Sequence, residues 1–154
     1  MEYLTETDWE KIKSQNCDYE FDWFANDRLG QLAMFSSFNR GYRPECVTKS
    51  LELYKELEEI LENLEKTTKA TKLTKENCRL DDWIEYSEKG LFSYDLQDVH
   101  RETEKGQFDI FFKPEKPITI NELDLEKFSE IIPRFGFEFG TDLSFEKMEK
   151  ELIN

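Results

Sequence analysis

The 154-residue chain contains one histidine, three cysteines and no apolar run approaching the ~18 residues of a membrane span. Each shortage closes off a class of function. Cys17, Cys46 and Cys78 are odd in number and far apart in sequence, so no CxxC framework exists. They read as reduced, partly buried thiols of a cytoplasmic protein. One imidazole and scattered thiols leave little from which to build a transition-metal centre. No D-x-[DN]-x-[DN]-G calcium loop and no G-x-x-x-x-G-K-[ST] or G-x-G-x-x-G phosphate loop occurs. Ser36 and Ser37 lack the G-x-S-x-G surround of a nucleophile elbow. The expectation is a protein without metal or cofactor. The opening "MEYLTETDWEK" also lacks the basic-then-apolar order of a signal peptide.

Positive charge is scarce as well. Lys and Arg total 21 against 35 Asp and Glu, a formal net charge of −14. Such a chain repels phosphate backbones, which argues against nucleic-acid binding and for solubility or a basic partner. Aromatic residues, by contrast, are plentiful. Thirteen Phe, six Tyr and three Trp offset a modest aliphatic content and support one packed domain over 1–154.

The local patterns give an α+β fold. "TDWE" at Thr7–Glu10 has capping-box spacing and opens a short helix, about Asp8 to Ser14. Tyr19, Phe21 and Trp23 alternate, "NDRLG" turns with Gly30 supplying a positive φ, and Leu32 to Phe35 follows as a second, more fully buried strand. After the loop "SSFNRGYRP", Pro44 sits at a first helical position. Val47, Leu51, Tyr54, Leu57, Leu61 and Leu64 then recur at three and four, predicting one long helix. Its opposite face carries Glu52, Glu56, Glu59 and Glu62. "EKTTKATKLTKEN" lacks apolar periodicity and reads as a loop. Leu80, Trp83 and Ile84 mark a short helix ended by Lys89 and Gly90. The remainder reads as strands, "LFSYD", "QFDIFFKP", "PITI" and "RFGFEF", with a small helix near Asp124 to Glu130 and a closing helix from Phe145 to Leu152. The predicted architecture is a mostly antiparallel sheet packed with a long helix and several short ones.

Two groups of residues are candidates for function. Tyr94, Asp95, Asp98, His100 and Arg101 crowd into "YDLQDVHRE" and are residue types that move protons, which would suit a small enzyme or a ligand pocket near His100. The simpler reading is a surface loop whose aspartates satisfy turn backbone. Glu52, Glu56, Glu59 and Glu62 form the second group, a face for a positively charged protein. The simpler reading there is a solvated helix side.

"DWFANDRLGQLAMFSSFNRGYRPECV", "KGLFSYD" and "FDIFFKPEKPITINELD" together resemble a group of small bacterial proteins. That group has a Trp-led strand, a D-x-x-G turn, an "LA-x-F" strand and a Pro-bounded turn before "PITI", and some members are similar to immunity proteins found beside bacterial toxins. The resemblance covers most of Asp22 to Leu125 and supplies no catalytic residues. It implies an immunity-type binding module, and the −14 charge together with the Glu face makes a basic toxin the expected partner of a cytoplasmic protein.

Overall fold

The computed structural model describes residues 4–77, 79–96 and 106–153. Helix α1 spans Glu6–Ser14. Its capping box is set two residues earlier than the sequence spacing suggests. The Thr5 side chain accepts the Asp8 N–H at 3.1 Å, and Asp8 Oδ2 accepts the Thr5 N–H at 3.1 Å. Aspartate at the third helical position does what the predicted glutamate would have done.

Strands β1 (Asp22–Asn26) and β2 (Leu32–Ser36) form the predicted hairpin, with Trp23 opposite Phe35 and Asp22 opposite Ser36. The predicted long helix is divided in two. A 3-10 turn at Glu45–Thr48 precedes α2 (Leu51–Glu62), because Ser50 adopts an extended backbone and caps α2 by accepting the Leu53 N–H at 3.2 Å. The apolar stripe runs through both pieces, so periodicity alone did not reveal the break. Within the predicted loop, Ala70–Lys72 forms a three-residue strand, β3. Its flanking lysines suit an exposed sheet edge. Helix α3 (Asp81–Glu88) ends as expected, with Gly90 at a φ of +106°.

Strands β4 (Phe92–Leu96), β5 (Gln107–Pro114) and β6 (Leu143–Ser144) complete a sheet of order β1-β2-β4-β5-β3, with β6 paired to β5. A six-residue helix, α4, spans Phe145–Lys150. The expectation of a mostly antiparallel sheet is corrected here, for the sheet is mixed. β2 and β4 run parallel, Phe35 beside Tyr94. Residues 37–91 separate them, and a connection of that length can return the chain to the end where it left. "PITI" contributes only a bridge from Thr119 to Gln31, and "RFGFEF" only bridges from Arg134 and Phe135. Phe135, Phe137 and Phe139 are nonetheless all buried, as their alternation predicts.

An aromatic ladder holds the sheet centre. Trp23, Phe35 and Tyr94 occupy registered positions on three adjacent strands, stacked at 4.3 and 4.9 Å between ring centroids. Phe108 meets Trp23 and Phe35 edge-on. Stacked and edge-on pairs both satisfy the ring quadrupoles. The patterned apolar positions Trp23, Leu32, Phe35, Leu57 and Leu61 are buried, as are Phe92, Ile110 and Phe137 of the later strand-like segments. Trp83 is only half-buried, since its indole N–H reaches out of the helix to the Tyr94 carbonyl at 3.3 Å.

Candidate functional site: an acid-lined groove

The segment "CDYEFDW" alternates acids with rings, so as it enters β1 it turns Tyr19, Phe21 and Trp23 inward and sets Asp18, Glu20 and Asp22 beside them. Helix α2 packs Tyr54 and Leu57 toward the core. At 100° per residue, Glu58 and Glu62 then fall on one flank of that helix, adjoining the segment. In α3, Asp82, Glu85 and Tyr86 lie three and four apart and share a side. These three pieces enclose a groove of about 780 Å³. Among the described residues, seven carboxylates line it, Asp18, Glu20, Asp22, Glu58, Glu62, Asp82 and Glu85, with Lys89 as the one cation.

Two of the seven carry local counter-charges. Asp18 receives a bidentate Arg40 at 2.6 and 2.5 Å, and that bond holds its carboxyl below the ordinary range. Glu85 lies 3.9 Å from Lys66. Among the described residues, no lysine or arginine forms an ion pair with Glu20, Asp22, Glu58, Glu62 or Asp82. Lys89 Nζ instead donates to the Glu62 carbonyl at 2.7 Å and sits 5.4 Å over the Tyr86 ring.

The electrostatics follow from that crowding. Burial, then the charges of Glu58, Asp82 and Glu20, raise the Asp22 carboxyl to about 7, while the Ser36 hydroxyl across the hairpin pulls it down. Burial also raises Glu58, against the Tyr54 hydroxyl. That hydroxyl lies 2.5 Å from the Asp22 carbonyl oxygen and 3.0 Å from Glu58 Oε2, with one proton to share between two acceptors. Among the described residues, no three His, Cys, Asp or Glu side chains converge closely enough to hold a metal ion.

The sequence candidates distribute unevenly around this geometry. Glu62 lines the groove, Glu52 and Glu59 stand exposed on the crest of α2, and Glu56 pairs with Lys127 at 2.6 Å. Tyr94 lies in the core ladder, where its hydroxyl donates to the Thr141 carbonyl at 3.0 Å and accepts the Gly140 N–H at 3.1 Å. Asp95 follows it in β4, paired in register with Asp109. Asp98, His100 and Arg101 lie outside the described residues. Ser37 donates to the Phe21 carbonyl at 3.3 Å. Cys46 borders a second concavity with Lys13, Arg43 and Lys49, but burial pushes its thiol up, away from the reactive thiolate. Arg43 is committed there to the Ile12 carbonyl and the Asn39 side chain.

Sequence reasoning missed Asp22, Glu58, Asp82 and Tyr86. The acid–aromatic alternation of residues 18–23 was a visible signal, as was the polar side of α3 through Asp82, Glu85 and Lys89. Nothing local said that these faces meet.

No helix among the described residues is long and apolar enough to cross a membrane. No protein-family model, no curated protein and no solved structure matches the chain.

Proposed function

We propose that this protein is a non-catalytic binding module for a basic protein, with the acid-lined groove and the crest of α2 as its contact face. The observation that carries the reading is the imbalance, among the described residues, of seven carboxylates to one lysine around a single concavity. In a chain of net charge −14, this is where negative charge is concentrated into a shape. Opposite charges steer encounter, and low-dielectric walls focus the field of a concave surface. The exposed Glu52 and Glu59 extend that field along the helix.

The biological form that fits is neutralisation of a basic toxin by an immunity-type protein in the bacterial cytoplasm. Its support is the resemblance of the segments between Asp22 and Leu125 together with the acidic face. Carboxylates that engage lysines and arginines of a toxin would occupy the surface the toxin uses on its own anionic target.

The test is complex formation with the product of the adjacent reading frame, mapped by amide hydrogen exchange. Protection should concentrate in residues 18–22, α2 and α3. Reversal of Glu52, Glu56, Glu59 and Glu62 to Lys should weaken the complex while the unfolding midpoint changes little. A complex whose protection lies elsewhere would remove the groove from the interface.

A further inference from the structure

We propose that the groove receives an arginine side chain of the basic partner, its guanidinium donating to the Tyr86 hydroxyl oxygen and drawing its counter-charge from Asp22 and Glu58. This rests on the reading of the groove as the contact face and adds what the partner must insert there.

The distinctive feature is Tyr86. Its side chain is nine-tenths buried, with the ring against Phe24 at 5.8 Å. Its hydroxyl makes no hydrogen bond among the described residues, although it lies on the groove wall in the fields of Asp22, Glu62, Glu58 and Asp82. The ring is buried while the hydroxyl oxygen, unlike the enclosed Trp23 Nε1 and Tyr42 Oη, opens onto the groove, so it stands free to take a hydrogen bond from an incoming group. Once ionised, the surrounding carboxylates can only accept, and the phenol oxygen can accept as well. The missing component is therefore a donor that carries positive charge.

Three observations select arginine. Among the described residues the carboxylates are too spread to converge on a metal ion, and a broad, planar cation can face several of them at once. The ring of Tyr86 already carries Lys89 Nζ at 5.4 Å, so this wall tolerates a cation against its π-face. A guanidinium presents five donors in a planar fork and keeps its charge when desolvated, whereas an ammonium is a compact, strongly hydrated point charge. The volume of about 780 Å³ exceeds one side chain and leaves room for the partner's adjoining residues.

Entry of the cation is linked to proton release. Asp22 is faced by Glu20 on its own segment, Glu58 and Tyr54 from α2, Asp82 from α3 and Ser36 from β2, and its carboxyl stands at about 7. A guanidinium favours the ionised form, so the proton leaves to solvent and binding tightens as pH rises from 6 to 8.

The probe is acetyl-hexaarginine amide, compared with its hexalysine counterpart by calorimetry at low salt, pH 6 and pH 8. The wild type should prefer hexaarginine by roughly fivefold at pH 8 and bind it several-fold more weakly at pH 6. Tyr86→Phe, which changes no formal charge, should lose most of that preference. The double variant Asp22→Asn/Glu58→Gln should lose both affinity and pH dependence. Glu126→Gln/Glu130→Gln, exposed acids outside the groove, should match the wild type. If Tyr86→Phe retains the preference while the double variant weakens binding, the arginine inference is overturned and the basic-partner reading stands. If neither variant changes anything, both fall. Should Tyr86→Phe not fold, equal wild-type affinity for the two peptides, or no binding of hexaarginine, overturns the inference on its own.

Discussion

Phe139 donates its backbone N–H to Asp27 Oδ2 at 2.9 Å, tying the β1–β2 turn to a segment 112 residues later in the chain. Asp27 is fully buried, and its other bonds are local. Oδ1 accepts the N–H groups of Leu29 at 3.0 Å and Gln31 at 2.9 Å, and Oδ2 accepts Gln31 Nε2 at 2.7 Å. One carboxylate thus closes the hairpin and docks the Phe135–Phe139 run beside it. Asp27→Ala would strand several buried donors, so it should lower stability by about 3–4 kcal/mol in chemical denaturation. An unfolding midpoint within error of the wild type would show that the turn does not depend on this carboxylate.

Trp23 anchors the aromatic ladder from the edge strand, stacked on Phe35 and wholly shielded from solvent. Trp23→Ala should cost about 3–5 kcal/mol, because the rigid sheet around it cannot collapse into the space. A small change would mean that the ladder repacks.

Much of this framework was legible in the chain. "QFDIFFKP" is β5 from Gln107 to Pro114, and the turn at Asp27 and Gly30 is where its residues demand it. Local periodicity and turn chemistry act over a few residues, so they are readable. The parallel pairing of Phe35 with Tyr94 depends on where a 55-residue excursion lands, and "PITI" had the composition of a strand but found no extended partner. The groove was the least legible part. Glu58 looked like one more glutamate on a helix, and Asp22 like one of the acids between the aromatic residues of the first strand. Their proximity, and Tyr86 beside them, exists only once three separate segments pack.

The raised Asp22 carboxyl has a signed consequence for stability. The folded value is about 7 and the unfolded value 3.8, so between those the folded state keeps a proton that the unfolded state releases. Asp22 therefore contributes its full stabilisation below the unfolded value and loses it as pH rises toward 7. Because the residue is half-buried, solvent screening reduces the swing to about 1–3 kcal/mol. Denaturation at pH 5 and pH 8 should show Asp22→Asn gaining on the wild type by that amount at the higher pH. Parallel profiles for the two proteins would place Asp22 in a water-like environment.

Gly90 holds the end of α3 in a conformation that side chains rarely adopt, and an added Cβ would stand 2.9 Å from the Ile118 Cβ. Gly90→Ala should destabilise by about 1–3 kcal/mol. Since the same turn places Lys89 over Tyr86, the variant should also alter hydrogen exchange in α3. A neutral outcome would mean that Ile118 moves aside freely.

The groove as contact face is tested most directly by stopped-flow association with the product of the adjacent gene. The wild type is compared with Asp22→Asn/Glu58→Gln/Glu62→Gln, first at low salt and then at about 1 M, where the Debye length falls to ~3 Å. Electrostatic steering through the groove predicts an association rate roughly tenfold slower for the variant at low salt, with the two rates converging at high salt. Equal rates at low salt, for a complex that does form, would contradict it.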